Sequence, residues 1–528
     1  MGVKIYSYIV FLFFFLLCLG TLFLSSSSFV NAQTAPKWYV FLFFSSAILI
    51  TFALYSIFSD IKKLRLNDLV LPFCLIVTVL CTVQALYGIA QFFRLFPAVG
   101  KFRVVGSFDN PAGFAACLCA GFPFFFYFLA KKEWWIRSIS IAGMLIIGFS
   151  ISLSGSRAGM LALVVVGLAG FLYLFQAGTK TRILVGVFLV LLTIGLYFVK
   201  KDSSDGRLLI WQCSWEMIKD KPLIGHGPGG FKAGYMNYQA KYFEEHSDSK
   251  YAMLADNIGH PFNEYVGLLV NYGLVGFLLF LGLLFLLIRA FRRNTNKTIL
   301  TYVACWCLTA IAVFAFFSYP LRYPFVWVVG ILSVSVILFQ GKVKELKLLK
   351  HFYIPASILI LALIVCFKSY SRLRTDLKWC KVAHLSLAGQ TEQMLPEYQI
   401  LHTELRNNEL FLYNYAAELN FANRYEESLS IARECESLWA DYDLQMLQAD
   451  NYLQMKNYPE AEQHYQKAAA MCPAKFVPLY RLFLLYETTG EKENMCKAAK
   501  IIIDKPVKIV SPMISRIKYE VKQKADCL

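Results

Sequence analysis

The sequence predicts an all-α protein: a polytopic bundle of about 11 membrane-spanning helices followed by a soluble α-helical repeat domain. Three observations predict it. Hydrophobic residues fill 57% of the 528 positions and charged residues only 16%, against about 25% charged residues in a soluble domain. Eleven apolar runs approach the roughly 20 residues that a bilayer core requires of a helix. The charge is also divided. Residues 1–367 hold 31 Lys and Arg against 14 Asp and Glu, whereas residues 368–528 hold 21 of each, so the whole net charge of +17 belongs to the first part. A disordered chain and a purely soluble enzyme are excluded, and no nucleic-acid partner is expected.

The expected spans lie near 7–24, 38–58, 69–93, 111–130, 134–153, 157–175, 182–199, 265–288, 299–318, 324–339 and 352–367. The first could be a signal peptide cleaved near Ala32, but its weak basic start and long apolar run favour a retained anchor. Basic residues in short loops set orientation. With the N-terminus in the cytoplasm, seventeen fall on that side, from Lys4, Lys62, Lys63 and Arg65 to Lys342, Lys344, Lys347 and Lys350. The outer short loops hold six: Lys37, Arg94, Lys101, Arg103, Arg157 and Arg322. This orientation puts the long 200–261 loop and the C-terminal region outside the cytoplasm.

The tail, 368–528, reads as paired helices. Asn423-Arg424-Tyr425, Lys456-Asn457-Tyr458 and Thr489-Gly490-Glu491 align at a spacing of 33, close to the tetratricopeptide period. Such stacks offer a concave surface to a protein or peptide partner; the plainer alternative is a helical cap with no partner. Eight of the fourteen cysteines lie in predicted spans and read as small apolar residues. Cys472 and Cys496 form a possible pair.

Candidate chemistry gathers on the outer face. The 200–261 loop has eight basic and eight acidic residues. It starts as an amphipathic helix from Gly206 to Pro222, with its apolar face expected on the membrane surface. A tight turn follows, Pro222-Leu223-Ile224-Gly225-His226-Gly227-Pro228-Gly229-Gly230, with no nucleotide-cradle pattern. His260 stands at the entrance of the eighth span, four residues before Glu264; the two are the candidate catalytic residues, and at helical spacing they would share a face, although Pro261 suggests that the helix begins only there. His260 suits a general base that takes a proton from an attacking hydroxyl, or else a structural histidine at a helix start. Arg157, Arg207 and Arg103 are expected to converge with His260. A guanidinium fork pairs well with a diphosphate leaving group, although each arginine alone could be an interfacial anchor. No Asp-x-Asp cluster accompanies them, so neither a metal nor another cofactor is expected.

Taken in order, the motifs resemble a known family. Gly106-Ser107-Phe108-Asp109-Asn110-Pro111, Ser154-Gly155-Ser156-Arg157-Ala158-Gly159, Arg207…Trp211…Pro222-Leu223-Ile224-Gly225-His226-Gly227…Phe231 and His260…Asn263-Glu264-Tyr265…Tyr272-Gly273-Leu274-Val275-Gly276 resemble signatures of the bacterial O-antigen ligase superfamily. That superfamily includes O-antigen polymerases and protein O-oligosaccharyltransferases. The resemblance covers roughly residues 70–340. It implies a multi-pass inner-membrane, metal-independent, inverting C-type glycosyltransferase. Such an enzyme moves a glycan from undecaprenyl diphosphate to a lipid or protein acceptor at the periplasmic face. By that resemblance Arg157 and Arg207 hold the diphosphate and His260 activates the acceptor; Asn110 and Asn263 support the motifs. Arg103 is added on position alone. Phe262 stands where oligosaccharyltransferase members tend to carry a second histidine, which leaves the acceptor class open. Two other functions stand as alternatives: a polymerase of lipid-linked repeat units, and a non-enzymatic anchor or polysaccharide transporter. A transporter tends to show internal repeats in its membrane half and charges within spans, and the sequence has neither.

Overall fold

A computed structural model describes residues 3–58, 66–199, 201–295, 297–339 and 353–525. Lys62, Lys63, Arg65, Lys342, Lys344, Lys347 and Lys350, all used to set orientation, lie outside them. No strand occurs among the described residues. The helices, in chain order, are α1 (Val3–Phe23), α2 (Ala35–Phe58), α3 (Leu66–Phe92), α4 (Pro111–Gly121), α5 (Phe125–Leu129), α6 (Trp134–Ser154), α7 (Arg157–Leu174), α8 (Thr179–Val199), α9 (Lys201–Asp220), α10 (Gly230–Glu245), α11 (Glu264–Arg293), α12 (Ile299–Ala315), α13 (Pro324–Phe339) and α14 (Tyr353–Leu385). In the tail follow α15 (Thr391–Leu405), α16 (Glu409–Phe421), α17 (Tyr425–Glu436), α18 (Tyr442–Gln454), α19 (Tyr458–Met471), α20 (Val477–Thr489), α21 (Lys492–Asp504) and α22 (Pro512–Lys524). Eight described helical stretches are long and apolar enough to cross a membrane, and α12 and α13 are shorter apolar helices.

The chain forms two compact units. The first comprises residues 1–196, 262–264 and 279–377; the second 197–261, 265–278 and 378–528. In the first, α4 is the centre. It is apolar all round, the mark of a helix surrounded by protein, and every residue from Gly113 to Gly121 is buried. Its small residues let neighbours approach closely: a Cβ on Gly113 would come within 2.4 Å of the Tyr323 ring. Phe14, Leu17, Cys18 and Leu22 of α1 belong to the same core. The first helix is thus packed into the bundle. By contrast, α11 bares Leu278, Leu279, Leu283, Phe285 and Leu286, a surface that suits lipid chains.

The second unit combines the outer loop with the tail. The tail contains three helix pairs, α16/α17, α18/α19 and α20/α21. Their first helices begin at 409, 442 and 477 and their second at 425, 458 and 492. Each pair turns on one residue with positive φ: Asn423 (61°), Lys456 (58°) and Gly490 (77°). The third turn is therefore one residue later than a constant spacing of 33 places it. Pro473 follows the end of α19, where it stops the helix. Cys472 is a buried free thiol, whereas Cys496 is disulfide-bonded; the two do not pair with each other.

The outer loop packs against these tail helices. Gln239 of α10, fully buried, donates to the carbonyls of Met471 (2.6 Å) and Asp256 (3.0 Å). Lys232 pairs with Glu409 and lies 5.4 Å from the Trp439 ring, while its carbonyl accepts from Ala440 N at 3.1 Å. Asn257 donates to Asp441 at 2.7 Å. Loop and tail therefore belong to one compact unit. This docking also corrects one expectation. The apolar face of α9, with Leu209, Ile210, Cys213 and Met217, is buried inside the unit rather than laid on the membrane surface. The helix also starts at Lys201, before Gly206.

Candidate active site

In the first unit, the segment Gly106–Asn110 is held by polar side chains from the spans. Gln91 clamps it: its amide nitrogen donates to Gly106 O at 2.9 Å, and its oxygen accepts from Val105 N and Gly106 N at 3.1 and 2.7 Å. Lys37 of α2, fully buried, donates to the carbonyls of Leu24 (2.7 Å) and Ser107 (2.9 Å) and sits 5.0 Å from the Phe108 ring. Asn110 caps α4, its oxygen accepting from Ala112 N and Gly113 N at 2.8 and 3.0 Å. An Asn before a Pro at the first helical position is a strong helix start, so this part of the motif is explained by folding. Its amide also donates to the Tyr323 hydroxyl at 2.9 Å.

Asp109 meets residues that the sequence reading did not single out. The Tyr323 hydroxyl donates to it at 3.1 Å, and Arg322 pairs with it at 3.4 Å. Burial, and next the Asp109 charge, push the Tyr323 phenol well above its ordinary pKa, so it stays a neutral donor. On the same turn Leu321 N donates to Glu264 Oε1 at 3.2 Å, and the Tyr319 ring lies 5.3 Å from that of Phe262. Residues 319–323 therefore join the Asp109-Asn110 motif to Phe262-Asn263-Glu264. The available signal was Arg322, a basic residue on the wrong side of the charge bias.

Arg157 is the first residue of α7. Gly155 closes α6 with φ of 67°, and Ser156 caps α7 by accepting from Gly159 N at 3.3 Å. Two helices thus meet in a tight corner that presents Arg157, half-buried, at a helix N-terminus, where the helix dipole adds to its attraction for anions. Arg103 is exposed and stands 5.4 Å from the Phe92 ring; it is not part of the Asp109 cluster.

In the second unit, Arg207 lies half-buried on α9, one turn before Trp211. The Trp211 indole donates to Pro261 O at 3.0 Å. The arginine's helix is thereby tied to the segment that carries His260. His260 itself is in irregular backbone, because the helix starts only at Glu264 and Phe262 has φ of 52°. His260 and Glu264 therefore do not share a helix face.

The glycine-rich turn has a role that was not foreseen. α11 is broken at Gly273 (φ 61°, ψ −161°), which frees backbone groups on both sides. Segment 222–227 takes them up. His226 N and Gly227 N donate to Val270 O (2.8 Å) and Asn271 O (2.9 Å), while Leu274 N and Val275 N donate to Pro222 O (2.8 Å) and Leu223 O (3.0 Å). A broken helix inside a membrane protein is tolerated when other backbone satisfies it in this way. The two motifs, read separately in the sequence, are one paired structure.

A family model described as O-Antigen ligase matches residues 142–281. The resemblance to the O-antigen ligase superfamily holds. The match takes in Arg157, Arg207, His260, Asn263, Glu264 and the broken helix at Gly273; Arg103 and Asn110 precede it. An uncharacterized protein of Haemophilus influenzae is 26% identical over 213 residues, which are 35% of this chain and 51% of the relative. The chain thus spans about half the length of that relative. Over residues 142–281 the chain is similar to the O-antigen ligase family, and its long apolar helices are those of a multi-pass membrane protein.

Proposed function

We propose that the protein transfers a glycan from undecaprenyl diphosphate to an acceptor hydroxyl at the periplasmic face of the inner membrane, without a metal and with inversion. The observation that carries this reading is the Trp211–Pro261 bond, which seats the helix of Arg207 beside the His260 segment. In the proposed step, the acceptor oxygen attacks the anomeric carbon as the bond from that carbon to the diphosphate oxygen breaks. The acceptor proton passes to the neutral imidazole of His260. Undecaprenyl diphosphate leaves, its growing charge balanced by Arg157 and Arg207. Glu264 is assigned with His260 to catalysis, Asn110 and Asn263 support the motifs, and Arg103 is assigned to the diphosphate on its position alone. The tail is read as a tetratricopeptide module that supports the outer loop. A disulfide at Cys496 suits an oxidising compartment.

Ligase and polymerase differ in the product of a deletion strain. Transfer of completed glycan predicts an acceptor bearing no glycan at all. An acceptor capped with a single repeat unit would mean polymerase and overturn the reading. For the grip on donor, Arg207→Lys is expected to lower turnover about a hundredfold, since the ammonium cannot reproduce the bidentate fork. Turnover measured in membranes at the wild-type rate would reduce Arg207 to an anchor.

A further inference from the structure

The second unit contains a groove that the transfer chemistry does not use. It has a volume of about 580 Å³ and lies among α18, α20 and the 508–517 segment, with Ala255 and Asp256 of the outer loop at its margin. Asp256 is four residues before His260. The groove margin and the proposed general base therefore belong to the same outer-loop segment of this unit. Its size falls in the range of sites that bury a small ligand or a peptide segment.

The lining selects among acceptors. Three acidic side chains, Asp256, Asp443 and Asp450, stand against three basic ones, Lys475, Arg481 and Lys508. A phosphorylated saccharide core is a polyanion and calls for a surplus of positive charge, which this balance does not supply. An uncharged glycan calls for open aromatic faces. Both rings here are already engaged by ammonium groups: Tyr442 by Lys475 at 3.7 Å, and Phe476 by Lys505 and Lys518 at 5.2 and 5.5 Å. What remains is a floor of Met446, Met513 and Ile514 between charges of both signs. Arg481 and Asp450 are only loosely joined, at 3.9 Å. Methionine-lined surfaces adapt to varied side chains, and charges of both signs suit a chain that carries both.

We propose that this groove binds the acceptor, and that the acceptor is a polypeptide whose serine or threonine hydroxyl is presented to His260. The proposal rests on the transfer reading above and narrows its acceptor from lipid or protein to protein.

The test places a photo-crosslinking amino acid at Met513, 56% exposed, in the full-length protein in cells. Tyr519, 65% exposed on the same helix but outside the groove, serves as control position. The expected adduct at Met513 is a polypeptide that carries glycan in the wild-type background and lacks it with His260→Ala. The adduct should exceed the Tyr519 control at least tenfold. An adduct with a phosphorylated lipid-linked saccharide, or equal labelling at the two positions, overturns the proposal. A polypeptide adduct that never carries glycan overturns the acceptor assignment while leaving transfer itself to the His260→Ala assay. In a second arm, Met513→Trp is expected to raise KM for the captured acceptor about tenfold with kcat retained. An unchanged KM contradicts the groove.

Discussion

His260→Ala is expected to abolish glycan transfer, by about 10²–10⁴-fold as loss of a general base costs, while the protein level stays normal. Lipid-linked glycan should accumulate in the same membranes, because donor is still made and no longer consumed. The expectation follows from placement. His260 lies half-buried in irregular backbone, outside the helices that build the core. It lies next to Pro261, whose carbonyl is held by Trp211 at 3.0 Å. Near-normal transfer by the alanine variant, read as glycan on the acceptor, would leave His260 a structural residue.

The second large effect is expected from Gly273→Ala. This glycine combines φ of 61° with ψ of −161°, a region that only glycine populates readily, and strain of this kind costs roughly 1–3 kcal/mol. The space is closed as well. A Cβ there would stand 2.4 Å from the carbonyl carbon and oxygen of Leu223 and 2.7 Å from Gly225 N, and backbone cannot give way as a side-chain tip can. The expected result is separation of segment 222–227 from α11. Transfer should fall to background and limited proteolysis should cut near 222–230, with the bundle still inserted. Wild-type transfer together with wild-type protection would show that the paired break is dispensable. A double variant with Trp211→Phe should add little, because both changes release the same loop.

Much of the architecture was legible because each part carries a strong local signal. Apolar runs of bilayer length mark the spans one by one. The positive-φ turns at Asn423, Lys456 and Gly490 leave a repeat of about 33 residues that can be read by alignment. Arg157 and His260 stand out as candidates because their residue types are unusual at the mouths of spans, and Arg207 because of its place in the outer-loop motif. What could not be read is long-range pairing. Gln239 gives no sign in sequence that it bonds to Met471 O, 232 positions away, so the outer loop looked like a membrane-surface element and not part of the tail's own unit. Segment 222–227 looked like an isolated turn because its partners are backbone groups of α11, which have no side-chain signature. Residues 319–323 were passed over because Arg322 and Tyr323 become informative only when Asp109 and Glu264 are seen to meet that turn. The expected helical face shared by His260 and Glu264 failed for a local reason: the positive φ at Phe262 delays the helix until Glu264.

The most direct test is reconstitution. Purified protein would be added to membranes of a deletion strain, which hold donor and acceptor, in the presence of EDTA. The predicted result is glycan appearing on the acceptor with inverted anomeric configuration and an equal amount of undecaprenyl diphosphate released, both lost with His260→Ala. Transfer that needs an added divalent metal, or release of undecaprenyl monophosphate with no matching glycan on an acceptor, would contradict the account.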